Sequence, residues 1–432
     1  MEDEKRTAPH IYNLFPRLAG EVGTWAAHAA RARAMGFDWL YFNPIHFPGF
    51  SGSCYAVKDY WRIDPLLLPD GHPDKHWEDA VREDGGVACV RDALSAVRRV
   101  GLLPIMDLVL NHTARDANLV AQHPEWYVRD ADGVVASPSA IDPADATHVT
   151  VWGDLAEIDN AASPDRDALW GHWQQLVEWG IDLGFAGFRC DAAYKVPAAL
   201  WQRLIAAARA RQPGALFFGE TLGARLEEID ALKDSGLHFV FNSSKWWSFD
   251  APWCLEQQAA QPFGTRSVSF AESHDTLRLW SETGGDAKIQ RQRYAFAAAF
   301  SSGVMLPAGY EYGFERRIDV VTTRATDWET PNIVLAPFVE RVHAARRRHP
   351  ALACESNVAL GSLDRPVLLL EKQSEDGLAW IAINKDREIR QPIDVPEAAR
   401  GRQVLRVCRD GAAAEAAATV LGLDPAEVAY IV

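Results

Sequence analysis

The sequence predicts an α/β protein: a (β/α)8 TIM barrel with a short domain inserted after strand 3 and a C-terminal β-sandwich. Short apolar runs alternate with helical patterns over residues 8–345, which is typical of a parallel sheet covered by helices. A long polar stretch broken by Pro and Gly interrupts this alternation after the third apolar run. Beyond about residue 350, the helical patterns give way to short strands separated by turns.

Eight apolar runs of strand length are the predicted barrel strands. They lie at residues 11–15, 39–43, 103–109, 187–190, 216–219, 239–242, 267–271 and 304–307. An open doubly wound sheet is the alternative fold, and it would normally carry a Gly-rich first turn that binds phosphate. The first run here continues into Asn-Leu-Phe-Pro at residues 13–16, so a closed barrel is favoured.

These elements divide the chain into three predicted parts. Residues 1–112 and 161–348 form the barrel, whose chemistry is expected at the carboxyl ends of its strands. Residues 113–160 form an inserted subdomain, because this polar excursion is longer than an ordinary loop. Residues 349–432 form the β-sandwich, with candidate strands at 366–372, 378–384, 403–407 and 428–432.

Composition excludes several classes of protein. The formal net charge of −15 argues against a nucleic-acid partner, since an acidic surface does not neutralise phosphates. No apolar run of transmembrane length occurs and the first residues lack a signal-peptide stretch, so we expect no membrane partner. The six Cys show neither CxxC pairs nor zinc spacing, which favours free thiols in a reducing compartment. The expected location is therefore the cytoplasm, and the sequence does not indicate an oligomeric state.

Four acidic residues stand at the ends of predicted strands, where barrel active sites form. Each is the first acid after its apolar run, at the third, fourth, fifth and seventh runs: Asp107, Asp191, Glu220 and Asp275. A single acid at such a position is often a helix cap or the partner of an arginine. Four of them, with Arg189 and His274 adjacent, instead indicate a catalytic constellation.

This arrangement suits hydrolysis or transfer at a glycosidic bond. Two carboxyl groups about 5–5.5 Å apart give retention of configuration, and neighbouring strands can supply that separation. Arg189 precedes Asp191 by two residues, so both side chains share one face of the strand and the guanidinium keeps Asp191 ionised as a nucleophile. Glu220 is then the general acid, with its pKa raised by negative charge and partial burial. Asp275 is left to bind sugar hydroxyls and to stabilise the transition state.

The ordered motifs resemble those of the α-amylase family, glycoside hydrolase family 13. The segments that carry the resemblance extend over nearly the whole chain: 36–44, 55–65, 107–112, 187–191, 218–220, 273–275 and 303–311. The resemblance implies that Asp191 is the nucleophile, Glu220 the acid/base and Asp275 the transition-state stabiliser, with Arg189 as partner of the nucleophile. It further implies sugar-binding roles for Tyr55, which would stack beneath the cleaved sugar, and for Asp107, His112 and His274.

Two positions depart from the family pattern on the acceptor side. Members of the family commonly carry Lys-His three and four residues after the nucleophile, whereas this chain has Tyr194 and Lys195. Both are predicted to bind substrate. Lys195, together with Lys58 and Lys245 on other motif loops, suits an anionic leaving group such as a sugar phosphate. The alternative is that these lysines are solvated or paired locally.

Two further features leave alternatives open. The predicted reaction requires no cofactor, but the resemblance allows a structural Ca²⁺ near Asn111. Acids of the excursion are its candidate ligands: Asp142, Asp145, Asp154, Glu157 and Asp159. The aromatic stretch at residues 245–249 either forms a sugar platform or covers the rim of the barrel.

The predicted function is that of a retaining glycosidase or transglycosylase acting on α-glucosidic bonds through a covalent glycosyl-enzyme intermediate. The expected partner is an α-1,4-linked gluco-oligosaccharide, with hydrolysis slightly favoured over transfer. One alternative is a glucosyl or maltosyl transferase with an activated donor, either a sugar phosphate or a disaccharide. Another is a non-catalytic barrel that binds sugar, since fold does not fix function. A metal-dependent hydrolase is disfavoured because neither an HxH pair nor an HExxH motif occurs, and no metal-binding residues are predicted for the active site.

Overall fold

The computed structural model describes residues 8–75, 85–142, 145–260, 265–375, 377–413 and 415–432. The first seven residues, which entered the signal-peptide prediction, lie outside the described part. Within it, no helix is both long and apolar enough to cross a membrane.

Eight parallel strands close into a barrel in which each strand pairs with its neighbours in chain order. They are β1 (His10–Leu14), β2 (Trp39–Phe42), β3 (Leu103–Leu108), β4 (Gly187–Cys190), β5 (Leu216–Glu220), β6 (Phe239–Phe241), β7 (Arg266–Phe270) and β8 (Gly303–Pro307). Each end lies within one residue of its predicted position. The predicted TIM barrel is therefore confirmed.

The strands form a closed parallel sheet because they are apolar on both faces. Large side chains on one face fill the barrel interior: Ile11, Trp39, Tyr41, Ile105, Phe218, Phe239, Phe241, Phe270 and Met305. The opposite faces, with residues such as Leu40, Phe188 and Phe217, pack against the surrounding helices. The interior residues nearest the carboxyl ends of the strands also line the bottom of the candidate site.

One main helix follows each strand and covers the outside of the barrel. These are α1 (Trp25–Ala34), α2 (Val87–Val100), α3 (Arg166–Leu183), α4 (Ala198–Arg211), α5 (Leu226–Asp230), α6 (Trp253–Ala259), α7 (Ala287–Phe300) and α8 (Ala336–Arg348). In α2, Val90, Leu94 and Val97 are buried at helical spacing, and Gly101 ends the helix in the left-handed conformation (φ 94°) that glycine adopts without strain.

Shorter helical segments connect these elements. Short α-helices lie at Pro16–Ala19, Asn118–Gln122 and Leu279–Glu282. Turns of 3-10 helix occur at Val22–Thr24, Pro65–Leu67, Pro73–Lys75, Pro124–Trp126, Ala193–Lys195, Ser244–Trp246, Tyr310–Tyr312, Ala325–Asp327, Pro350–Ala353 and Glu397–Ala399. Two of them, Ala193–Lys195 and Ser244–Trp246, stand at the carboxyl ends of β4 and β6 and shape the cleft.

The excursion between β3 and α3 contains two small antiparallel pairs. His112–Ala114 pairs with Leu155–Glu157, and Ser139–Asp142 pairs with Asp145–Val151. The first pair brings both ends of the excursion together beside the carboxyl end of β3. A separate hairpin after β2 joins His46–Pro48 to Val57–Ile63, and Tyr55 lies in its connecting loop.

The C-terminal part is an antiparallel β domain. Its strands are β9 (Val358–Ala359), β10 (Val367–Ser374), β11 (Gly377–Asn384), β12 (Gln391–Asp394), β13 (Gln403–Leu405), β14 (Glu415–Ala416), β15 (Val420–Leu423) and β16 (Val428–Ile431). Six of them form one sheet in the order β9-β10-β11-β16-β13-β14, while β12 pairs with β15. The core between these sheets is centred on Trp380, which is fully buried. The predicted C-terminal β domain is confirmed.

Candidate active site

The acids predicted from the sequence meet at the carboxyl end of the barrel. Asp107 lies near the end of β3, Asp191 directly follows β4, Glu220 ends β5, and Asp275 follows β7. A shallow cleft opens at this end, lined by Tyr41, Arg189, Glu220, Leu222, Phe241, Phe270, Ser273, His274 and Met305. Its floor is the upper layer of the barrel interior, and its polar groups come from the strand ends.

Arg189 links Asp191 to Asp107. One guanidinium nitrogen, Nη1, donates to Asp191 Oδ1 at 2.6 Å and to Asp107 Oδ1 at 3.0 Å. Burial disfavours the charge on the guanidinium, but Asp107 and Asp191 outweigh it and raise the pKa of Arg189 well above its usual range. A permanent cation therefore lies 2.6 Å from Oδ1 of Asp191, the predicted nucleophile.

Asp107 is fully buried beneath Arg189 and accepts hydrogen bonds from two tyrosines. The hydroxyls of Tyr41 and Tyr55 donate to its Oδ2 at 2.5 and 2.6 Å. Burial raises the pKa of Asp107, although Arg189 opposes that shift. Asp107 thus orients Arg189 and Tyr55, and its predicted direct contact with a sugar stays a prediction.

Tyr55 connects this buried network to the loop after β7. Its ring lies parallel to that of His274, with 5.5 Å between ring centres, and its hydroxyl lies 2.7 Å from His274 Nε2. The same nitrogen is 3.1 Å from Asp275 Oδ2. Tyr55 is partly buried, and its stacking beneath the cleaved sugar stays a prediction.

Both predicted sugar-binding histidines are buried. Among the described residues, Nδ1 of His274 has no hydrogen-bond partner, whereas the ring of His112 interacts with the backbone of Tyr55. Burial lowers the pKa of both imidazoles, so each is neutral at pH 7 with one donor and one acceptor nitrogen. Buried polar atoms normally find partners, and sugar hydroxyls supply the complementary donors and acceptors.

Glu220 is held by two backbone N–H groups. The N–H of Ala192 donates to Oε2 at 2.9 Å, and that of Leu222 donates to Oε1 at 2.7 Å. Ala192 adopts a left-handed φ of 40°, an unusual backbone conformation directly after the nucleophile position. Burial raises the pKa of Glu220 to about 7, with Asp191 and Asp275 adding to the shift and Arg189 opposing it. Glu220 therefore has the pKa of a general acid at neutral pH.

Tyr194 and Lys195 lie in the turn Ala193–Lys195 after the nucleophile strand. Tyr194 is partly buried, while Lys195 is exposed with its ammonium 5.4 Å from the centre of the Tyr194 ring. The other two lysines proposed for an anion are paired locally, Lys58 with Asp116 at 3.2 Å and Lys245 with Glu282 at 2.9 Å. Of these three lysines, Lys195 is the one that forms no ion pair with the described residues.

The described members of the predicted calcium ligands do not converge beside Asn111, and the three described side chains whose ligand atoms do converge are His123, Glu125 and Asp165. Asn111 Oδ1 is buried without a partner, but no three acids of the excursion converge on one point within the described set. The side chains of Asp142 and Asp145 lie outside what the structure describes. We therefore derive no step through calcium, and the ion stays a prediction that is tested by whether a chelator lowers the Tm.

Sequence reasoning missed Tyr41 and Asn43. Besides the bond from Tyr41 to Asp107, the Asn43 side-chain amide donates to the Tyr55 hydroxyl at 3.0 Å. Both belong to the motif at residues 36–44, and residues 39, 41 and 43 alternate toward the barrel interior. This period of two, applied to polar side chains at the strand end, could have identified them.

Comparisons with known proteins agree with this geometry. The family model described as "Glycogen debranching enzyme, glucanotransferase domain" matches residues 8–130. The α-amylase of Lactobacillus plantarum superimposes with a TM-score of 0.77 at 19% identity, over 98% of this chain and 99% of that one. The chain therefore has the fold of this α-amylase, and the two similarities support the resemblance to the α-amylase family that its motifs indicate. They also support the expectation of an enzyme.

Two curated relatives of this chain are transferases by name. "Alpha-1,4-glucan:maltose-1-phosphate maltosyltransferase" of Burkholderia pseudomallei is 27% identical over 403 residues, covering 89% of this chain and 34% of the relative. The protein of the same name from Mycolicibacterium smegmatis is 27% identical over 406 residues, covering 83% of this chain and 54% of the relative. The chain thus spans about a third to a half of the length of these two relatives.

Proposed function

We propose that this chain transfers an α-glucosyl or α-maltosyl group from a glycosyl phosphate to an α-1,4-glucan, with retention of configuration. The proposal rests on two carboxyl groups at neighbouring strand ends. Asp191 is bound by Arg189 after β4, and Glu220, whose pKa is raised to about 7, ends β5. The names of the relatives support transfer over hydrolysis. The preference for hydrolysis drawn from the sequence is not confirmed.

In the first step Asp191 attacks the anomeric carbon of the donor. A bond forms between a carboxylate oxygen and that carbon, while the bond to the leaving oxygen breaks and its electron pair departs with phosphate. Glu220 transfers its proton to the leaving oxygen, so phosphate departs protonated and Glu220 is left as a carboxylate. Asp275, His112 and His274 bind hydroxyls of the distorted sugar.

In the second step a hydroxyl of the glucan attacks the same carbon. Glu220, now a carboxylate, takes the hydroxyl proton, and the bond between Asp191 and the sugar breaks. The two inversions together retain the configuration. Water in place of the glucan would give hydrolysis, so the outcome depends on how well the acceptor is held.

The pKa of Glu220 predicts a basic limb in the pH profile. Glu220 is protonated below about pH 7 and loses its proton above it, so kcat/KM should fall as the pH rises through about 7. A profile from pH 5 to 9 measures this, with a donor whose leaving group needs protonation. In Glu220→Gln the remaining activity should lack that limb. A wild-type rate that stays constant up to pH 9 would argue against Glu220 as the acid.

Lys195 is expected to contact the phosphate of the donor. Lys195→Ala should raise the KM for a glycosyl phosphate about 10-fold or more, because a charge-assisted hydrogen bond contributes about 1.5–3 kcal/mol. The KM for maltooligosaccharide should change little. The control is Lys233→Ala, which removes an exposed lysine paired with Asp230 on α5. If the donor KM is the same in Lys195→Ala and in the wild type, this role is wrong.

The reaction itself is tested with α-maltose 1-phosphate and maltooligosaccharides, with products resolved by chromatography and phosphate measured in parallel. Longer sugars together with released phosphate support the proposal. Shorter sugars without a requirement for phosphate identify a hydrolase instead. If no α-glucoside or glycosyl phosphate reacts, but maltooligosaccharides bind, the non-catalytic sugar-binding scaffold replaces both.

A further inference from the structure

The loop after β6 contains two adjacent tryptophans in opposite environments. Trp247 is fully buried and packs against Phe296 and Phe300, with ring centres 5.6 and 5.8 Å away. Trp246, in contrast, is 51% exposed. The sequence left two roles open for this stretch, a sugar platform or a cover for the barrel rim. Trp247 has the second role, whereas the exposure of Trp246 does not fit it.

Trp246 stands beside the cleft. The edge of its ring meets Phe270, with 6.5 Å between ring centres and an angle of 85°. Phe270 forms part of the cleft floor, together with Leu222, which follows Glu220 on the neighbouring β5 loop. An apolar surface thus continues from Glu220 across the floor to the exposed indole.

The turn that carries Trp246 is held at several points. The N–H of Ser244 donates to Asn242 Oδ1 at 3.2 Å, and the N–H of Trp246 donates to the carbonyl of Ser243 at 3.1 Å. Lys245 pairs with Glu282, which fixes the turn to the β7 loop. A large ring on such a fixed turn loses little conformational freedom when a ligand covers it.

Neighbouring loops carry further exposed apolar side chains. Leu226 after β5 and Leu277 after β7 are 51% and 53% exposed. Since β5, β6 and β7 are adjacent strands, their loops follow neighbouring strand ends. The exposed indole of Trp246 offers an aromatic face on this rim. A glucan chain fits this ring, because each sugar ring offers an apolar C–H face to an aromatic ring and keeps its hydroxyls at the edge.

We propose that Trp246 is a stacking platform for a glucosyl unit of the α-glucan acceptor, next to the unit that reacts. The inference rests on the proposed function. Glu220 protonates the leaving oxygen and later deprotonates the acceptor hydroxyl at the same position, so the acceptor occupies the Glu220 side of the cleft. The strand β6 is the direct neighbour of β5 on that side.

The test is the binding of maltoheptaose, measured by titration calorimetry in the non-reacting Asp191→Asn background. Adding Trp246→Ala should weaken binding by about 10-fold. The matched control, Trp152→Ala, removes a tryptophan of the excursion that is 42% exposed and should leave the affinity unchanged. In the reacting enzyme, Trp246→Ala should raise the KM for the acceptor and leave the KM for the donor as it is.

The outcomes separate the platform from the proposed function. Equal affinity for maltoheptaose with and without Trp246 overturns the platform, whatever the reaction proves to be. A loss of affinity confined to Trp246→Ala supports the platform even if the donor proves not to be a glycosyl phosphate. If maltoheptaose binds neither to Asp191→Asn nor to its two tryptophan variants, both the stacking role of Trp246 and the glucan acceptor are wrong.

Discussion

Asp191→Asn is expected to lower kcat/KM by about 10⁴-fold or more, because an amide cannot form the glycosyl-enzyme bond. The fold should persist, since Arg189 keeps its hydrogen bond to Asp107 at 3.0 Å when Asp191 loses its charge. The measurement is the rate of product formation from the donor that the wild type uses, with folding checked by circular dichroism.

The control for this prediction is Asp230→Asn. It removes the charge of an exposed acid that pairs with Lys233 on the outside of the barrel, and it should leave the rate within experimental error of the wild type. A residual rate of several per cent in Asp191→Asn would mean that another group is the nucleophile.

Arg189→Ala is expected to reduce the free energy of unfolding by about 3–5 kcal/mol and to abolish activity. The substitution leaves Asp107 buried without its cation, and Asp191 loses its 2.6 Å contact. A buried charge without a partner is costly, whereas a neutral group of similar shape is tolerated. Urea denaturation at pH 7 measures the change.

Two further variants show whether the uncompensated charge is the cause. Arg189→Ala combined with Asp107→Asn should regain part of the lost stability, because the lone buried charge is removed. Arg211→Ala, which breaks an exposed pair with Asp182, should cost only about 0–1 kcal/mol. A similar loss in Arg211→Ala and Arg189→Ala would mean that the buried network does not carry the stability assigned to it.

The sequence predicted the barrel well because its strands are buried on both faces and read as continuous apolar runs. The C-terminal domain was predicted less completely. Strands β10, β11, β13 and β16 were anticipated, but β9, β12, β14 and β15 were not. Strands β9, β12 and β14 have no buried residue, while β15 buries only Leu421 and Leu423. Such strands are stabilised by pairing with neighbours rather than by a pattern of their own.

The candidate site was also only partly predictable from the sequence. Acids at strand ends could be predicted because the barrel brings the carboxyl ends of its strands together. The pairing of Lys58 with Asp116 and of Lys245 with Glu282 could not, since it depends on how separate loops meet. Adjacent residues such as Trp246 and Trp247 also share one local sequence, so their opposite exposure is decided by tertiary packing.

The most direct test of the account is to trap the covalent intermediate. The wild type is incubated with a 2-deoxy-2-fluoro-α-maltosyl fluoride, whose fluorine slows both steps while fluoride remains a good leaving group, and the protein is then digested and analysed by mass spectrometry. We expect one fluoromaltosyl group, attached to the peptide that contains Asp191 and absent in Asp191→Asn. A label on a different carboxylate, or turnover of this substrate with inverted configuration, would contradict it.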